Sequence, residues 1–246
     1  MSSSPATGSE PAHGATGSEP AHGAAAADAA VRPRRRRDPE GTMRAIIAAA
    51  EEEFSERGYL GGRVDAIAER TSTTKRMIYY YFGDKLGLYI ATLEHVYRGM
   101  REREHAVHLD DLEPVEALRT LVRTTFDAQE QRTSFVRMVS FENTLGAVNI
   151  AGIDSLRELN RGVITTIERL LERGRAAGLF RTDADAPDAY ELHQLISSLS
   201  FYRVSNRATF REIFDYDMLA PEHRDAARRR AVDVVLGQVL EPGAQS

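Results

Sequence analysis

The chain has 246 residues, no cysteine and a formal net charge of -5, so it can bury a sizeable core but offers no disulfide framework, thiolate metal site or thiol nucleophile. No apolar run approaches the roughly 18 residues of a membrane span, Ala24 to Ala27 is too short for a signal h-region, and Arg34 to Arg37 lacks the following apolar segment of an export signal. A soluble, cytoplasmic protein with no membrane partner is expected.

Residues 1–37 read as a disordered tail. The nonapeptide "ATGSEPAHG" occurs at Ala6 to Gly14 and again at Ala15 to Gly23, without an apolar face to bury. Its His13 and His22 read as solvated tail residues. The basic run Arg34 to Arg37 then abuts the first ordered helix, where it can reach into a DNA groove, add non-specific attraction for phosphate or remain a solvated charge run. From Val31 to Ile90 there are 12 Arg and Lys against 9 Asp and Glu, a local balance of +3 in an acidic chain.

A first helix is predicted from Asp38, an N-cap followed by Pro39, through Met43, Ile46, Ile47, Ala50 and Phe54 to a stop at Gly58. A short second helix follows from about Val64 to Arg70, then the turn "TST", then a third helix from about Thr74 to Tyr81. This is the outline of a helix-turn-helix unit spanning residues 38–85.

On the third helix, Ile78 and Phe82 mark the inward side, with Thr73, Arg76 and Tyr80 opposite, Lys75 and Tyr79 on one flank and Met77 and Tyr81 on the other. Arg76 can reach a guanine edge bidentately, Lys75 acts as a point charge, and threonine and tyrosine hydroxyls reach phosphate oxygens. Asp84 caps the next helix and places Lys85 at its N-terminus, where a phosphate is favoured. A surface helix with snorkelling aromatics is the alternative on pattern alone.

The stretch from Arg44 to Tyr89, "RAIIAAAEEEFSERGY…RVDAIAERTSTTKRMIYYYFGDKLGLY", resembles the DNA-binding domain of the tetracycline-repressor (TetR) family of transcriptional regulators. The resemblance rests on the apolar helix ending in Phe54 and Gly58-Tyr59, on Ile67-Ala68, and on "YYYF" followed by Lys85 and Leu88. It implies that Thr73, Thr74, Lys75, Arg76, Tyr79, Tyr80, Tyr81 and Lys85 contact double-stranded operator DNA. Arg63 stands where the family commonly has Thr or Ser; it can supply a charged phosphate contact but cannot cap the second helix.

The resemblance further implies an all-α fold, with a larger helical C-terminal part over residues 86–240 that dimerises and binds a small effector, and a tail at 241–246. The chain permits this: Leu156, Leu159, Val163, Ile167 and Leu170 form one stripe, closed by Gly174 and Gly178. Leu192, Leu195, Ile196 and Leu199, with Val232, Val235, Leu236 and Val239, form two more, which the resemblance assigns to a homodimer interface; an intrachain core is the competing use. Polar groups set among apolar ones, Arg137, Phe141, Glu142 and Asn143 in one segment and Tyr202 and Asn206 in another, are candidate effector contacts.

His105 and His108, with Asp110 and Asp111 behind them, have metal-ligand spacing, but a third ligand would have to come from His193 or His223, so no metal site is expected. Phosphate-loop, serine-elbow and zincin motifs are absent. Neither an enzyme nor a cofactor is expected, and a ligand-responsive regulator, a repressor in the family's usual sense, is the favoured reading. The rival is a helical protein-interaction adaptor with a vestigial DNA head, and beyond it a metal-dependent protein using the His105 pair.

Overall fold

The computed structural model describes residues 38–105 and 108–242, without the side chains of residues 103–105. The repeat, the tail histidines and the Arg34 to Arg37 arm therefore lie outside the described residues. The chain from Asp38 onward folds as one compact unit. Its helices are α1 (Pro39–Gly61), α2 (Val64–Arg70), α3 (Lys75–Phe82), α4 (Lys85–His105), α5 (Pro114–Gln131), α6 (Thr133–Thr144), α7 (Asp154–Ala176), α8 (Ala189–Ser205), α9 (Arg207–Phe214) and α10 (Pro221–Val239). Among the described residues the only extended pairing is a single bridge between Phe180 and Leu240, and no helix is long and apolar enough to cross a membrane.

Local chemistry accounts for the boundaries. Asp38 accepts from the Gly41 amide at 2.8 Å, with Pro39 at the first helical position. Gly58, expected to stop α1, does break it, at φ 65 and ψ -176, and one further turn runs on to Gly61. Asp188 and Glu191 form a reciprocal capping box that starts α8. Inside α7, Gly174 lies so close to the Phe180 ring that a Cβ would stand 2.0 Å from it, so only glycine lets the chain fold back there.

Two apolar cores result. One joins α5, α7, α8 and α10 around Leu118, Val122, Ile167, Leu170, Leu192 and Val235. The other joins α1 to α4 with α6 around Ile46, Phe54, Ile67, Ile78, Leu93 and Val136. The core that holds the three-helix head therefore runs on past residue 85, through Leu88, Tyr89, Leu93, Val96 and Met100 of α4 and Phe135 and Met138 of α6.

The stripes assigned to a dimer seam are used differently from that expectation. Leu192, Ile196, Val232, Val235, Leu236 and Val239 are buried in the chain's own core. A helix stripe spent on one core is unavailable to another. Of the eight, Leu195 and Leu199 remain half-buried on the flank of α8. The outward faces of these helices carry Tyr190, Tyr202 and Val234 instead.

Candidate nucleic-acid interface

The head is organised around Glu53, a carboxylate buried on the inner face of α1. Its Oε1 accepts the Arg63 amide at 3.0 Å, and it forms ion pairs with Arg57 at 3.3 Å and Arg70 at 3.0 Å. Arg63 occupies the N-cap position of α2 without a side-chain cap, as expected for arginine. The Glu53 carboxylate thus accepts the amide of the N-cap residue itself, the part a Glu at the third helical position plays in a capping box, and leaves unreplaced the bond a capping Thr or Ser would accept from the first turn of α2. This role was readable in the sequence, because Glu53 falls in the apolar register of Ile46, Ala49, Ala50 and Phe54, where a charged side chain needs a partner.

The turn between α2 and α3 is held by its own polar groups. The Thr71 hydroxyl donates to the Ile67 carbonyl at 2.9 Å, the Thr73 amide to Ala68 at 3.1 Å, and Ser72 takes a left-handed φ of 50. Thr74 caps α3 by accepting the Met77 amide at 3.2 Å. That hydroxyl is therefore engaged in positioning the helix, with its remaining lone pair and proton facing water.

Ile78 anchors α3 in the core, while Tyr79, Tyr81 and Phe82 are half-buried around its rim. Tyr80 is 77% exposed, one turn beyond the exposed Arg76. Tyr80 rests edge-on against Tyr81 at 5.3 Å. Among the described residues Arg76 meets no carboxylate, so its five donors face solvent. Lys75 pairs with Asp65 of α2 at 3.1 Å and lies 5.9 Å from the Tyr79 ring. Both partners of that pair are about half exposed, so it is worth no more than about 1 kcal/mol and is readily exchanged for a phosphate.

Lys85 stands at the N-terminus of α4 and is also tied within the chain. Its ammonium donates to the Leu60 carbonyl at 3.3 Å and sits 5.0 Å from the Tyr59 ring, which ties α4 to the end of α1. Asp84 does cap α4, accepting the Gly87 amide at 2.8 Å. Arg63, Thr74, Lys75, Arg76 and Tyr80 are thus exposed on the head, with Thr73, Tyr79, Tyr81 and Lys85 half-buried beside them. A short helix presenting an unpaired guanidinium, a phenol and capped threonines on a rigid turn can enter a major groove and read base edges while its rim touches phosphate.

The six candidate effector residues divide between a surface cleft, its margin and the interior. Arg137 and Phe141 line a surface cleft of about 290 Å³ with Ser55, Glu56, Ser140, Thr144 and Ser205. Glu142 turns inward to Tyr89, whereas Asn143 and Tyr202 are exposed and Asn206 donates to the neighbouring Ser205 hydroxyl. The interior of the body holds other polar groups: Gln129 accepts from Ser200 at 2.8 Å, Thr125 is buried one turn before it on α5, and Arg101 is buried on α4. Thr125, Gln129 and Ser200 each fall in an otherwise apolar register, the signal that marks them. Of the histidines, His108 is exposed and the side chain of His105 lies outside the described residues. Among the described residues no group of three or more His, Asp or Glu side chains is placed to share a metal ion.

Relatives match this arrangement from head to body. The sequence profile described as "Bacterial regulatory proteins, tetR family" matches residues 46–92, and that described as "Tetracyclin repressor-like, C-terminal domain" matches residues 114–235. The HTH-type transcriptional repressor NicS of Pseudomonas putida is 34% identical over 184 residues, covering 75% of this chain and 85% of NicS. Among solved structures, the ketosteroid transcriptional regulator KstR2 of Mycobacterium tuberculosis shares the fold with a TM-score of 0.60 at 19% identity, over 81% of this chain and 95% of KstR2. FadR of Bacillus subtilis, solved in complex with stearoyl-CoA, does so with a TM-score of 0.56 at 17% identity, over 79% of this chain and 98% of FadR. With a recognition helix built as described and both halves of the chain matched in order, the protein belongs to the TetR family of helix-turn-helix transcriptional regulators.

Proposed function

We propose that the chain is a homodimeric repressor that grips a pseudo-palindromic operator with two copies of α3 and lets go when a small effector binds the helical body. The observation that carries this reading is the outward face of α3, where Arg76 and Tyr80 stand exposed on a helix fixed by Ile78 and the Thr74 cap. Likeness to NicS supports repression as the sense of regulation, and the stearoyl-CoA held by FadR supports a ligand-bearing body in this fold. The effector contacts are better sought among the inward polar groups, Thr125, Gln129, His193 and Ser200, than on the outer surface. To empty a nearly full operator the effector must prefer the released conformation by about 5.5 kcal/mol.

The dimer surface belongs to the outward side of α8 and α10, through Leu195, Leu199, Tyr202 and Val234. The test is selection of genomic fragments by the purified protein at low salt, repeated with candidate metabolites. Recovery of a two-fold symmetric site, released by a metabolite, is the expected result. Binding that shows no symmetry, or that is indifferent to salt, contradicts the operator reading.

A further inference from the structure

Helix α9 faces the wrong way for a core element. Its apolar residues Phe210, Ile213 and Phe214 fall at i, i+3 and i+4, the spacing that normally buries a helix, yet it has no buried residue. Ile213 is 70% exposed and Phe214 62% exposed. The helix is nevertheless rigidly presented. Arg207 grips Asp217 through two hydrogen bonds of 2.9 and 2.6 Å, and Asp217 also accepts the Leu219 amide at 3.0 Å. Phe210 packs on Phe214 at 4.6 Å and on Tyr216 at 6.0 Å, and Tyr216 stacks on His223 of α10 at 4.2 Å. Arg203 of α8 holds Glu130 at 2.9 Å and donates to the Met218 carbonyl, which fastens the far side of the loop.

We infer that α9 is a preformed docking rib whose Ile213 and Phe214 insert against a second copy of this chain, extending the dimer surface beyond α8 and α10. The inference rests on the dimeric reading above. Three observations favour a second copy over other occupants. Six of the large apolar side chains that stand exposed, Tyr190, Tyr202, Ile213, Phe214, Tyr216 and Val234, lie together on α8, α9, α10 or the joint between them, while Met43, Leu60, Tyr80, Leu86 and Val148 are scattered over the head and the α6–α7 connection. On α8, Tyr190 and Tyr202 belong to the stripe that also holds Gln194 and Ser198, opposite the buried residues Leu192, Ile196 and Ser200, so this side of the helix is free.

The area is of the right order. At roughly 150–250 Å² for a whole aromatic side chain, the four exposed aromatics offer on the order of 400 Å², about half of the ~800 Å² that each partner gives to a stable interface. Charge provides the third argument. The rib's Arg207 is paired with Asp217, and Arg211 with Glu212 at 3.4 Å, so the patch is close to neutral. A strongly single-signed patch would repel its own copy across a two-fold axis and would suit DNA or an anionic lipid surface better.

Because the chain contains no cysteine, Phe214→Cys supplies a single thiol. Its labelling by a maleimide is expected to slow about tenfold as protein concentration is raised through the dimerisation range measured by sedimentation. The paired variant Ile213→Asp with Phe214→Asp, which touches no core residue, is expected to weaken the dimer about tenfold or more with an unchanged circular dichroism spectrum. A thiol labelled equally fast in monomer and dimer, or an α9 variant that dimerises as well as wild type, overturns the inference and leaves α9 for a different partner. If Val234→Asp breaks the dimer while the α9 variants do not, only the role of α9 fails. A wild-type chain that stays monomeric at every concentration removes the dimeric reading itself.

Discussion

The hydroxyl of Tyr89 on α4 donates to Glu142 Oε1 on α6 at 2.8 Å, across 53 residues of sequence. Asn149 donates to the same oxygen at 2.8 Å. The Tyr89 ring stands against Phe54 at 4.9 Å and Tyr59 at 5.1 Å, both on α1. Beside it the Phe141 ring approaches Gly58 so closely that a Cβ there would stand 2.9 Å away. Helices α1, α4 and α6 therefore meet in one tight joint. Burial, reinforced by the hydrogen bond to Glu142, pushes the Tyr89 hydroxyl well above the ordinary tyrosine range, so it keeps the proton it donates.

Replacing Tyr89 with Phe removes that donor and leaves the buried Glu142 carboxylate, 2% exposed, with Asn149 alone. The expected cost is about 1–3 kcal/mol, the usual price of an unsatisfied buried group. Urea denaturation measures it as a lowered midpoint at unchanged slope. A midpoint equal to that of wild type would mean that the bond adds nothing.

Glu53 invites a second substitution. In Glu53→Ala the Arg63 amide loses its acceptor, and Arg57 and Arg70 lose a shared carboxylate, while both guanidiniums retain access to water. A loss of about 1–3 kcal/mol follows, together with weakened DNA binding, since the start of α2 is no longer fixed. Thermal melting and a fragment-shift assay on the same preparation check the two effects. Intact binding beside a lowered melting temperature would separate α2 placement from recognition.

Much of the head was legible because its signals are local. The Asp38 cap, the Gly58 break and the Ile78–Phe82 inward side depend on residues within one or two turns of each other. The stripes on α8 and α10 were legible as apolar faces, but periodicity does not say which surface covers them. Leu192 and Val235 read the same whether the neighbour is α5 of the same chain or a helix of another. Helix α9 was not legible for a related reason, since "RATFREIF" is short and its Ile213 and Phe214 stay exposed, so no buried face marks it. The contact of Lys85 with the Leu60 carbonyl was not legible because its acceptor is 25 residues away.

Acidity offers a third test. Burial first, and the Arg101 guanidinium second, hold the His193 imidazole below its ordinary value. In the unfolded chain it takes up a proton near pH 6.5, while the folded state resists, so below that pH the unfolded chain binds more protons. The contribution of His193 is therefore complete above about pH 6.5 and is lost as pH falls through the lowered folded value. Melting at about pH 5.5 is expected below melting at about pH 7.5, and His193→Gln should remove part of the difference. An identical pH profile in the variant would exclude His193 as its source.

Substitution separates the core role of the C-terminal helices from the dimer contact proposed for them. Leu192→Ala opens a cavity in the core shared by α5, α7, α8 and α10, and is expected to cost about 2–5 kcal/mol without changing oligomeric state at high concentration. Val234→Asp places a charge on the exposed side of α10 and is expected to dissociate the dimer while the monomer stays folded. Sedimentation and chemical denaturation together resolve the pair. A dimer indifferent to Val234→Asp would place the contact elsewhere on the molecule.

Recognition itself separates into reading and holding. Arg76 is exposed on α3 and free of carboxylates among the described residues, so Arg76→Ala is expected to cost about 1–3 kcal/mol on the specific site and to relax base preference there. Lys85 touches α1 by way of Leu60 and Tyr59. Lys85→Ala is accordingly expected to weaken specific and random DNA alike, because it loosens the platform rather than a base contact. Thr74→Ala falls between them: loss of the α3 cap costs roughly 0.5–2 kcal/mol of helix stability, and the specific site suffers most because groove entry depends on the first turn of α3. Titrations of all three variants against specific and random fragments at matched salt give the pattern. Equal losses on both fragments for Arg76→Ala would transfer the reading role to the neighbouring Lys75 and Tyr80.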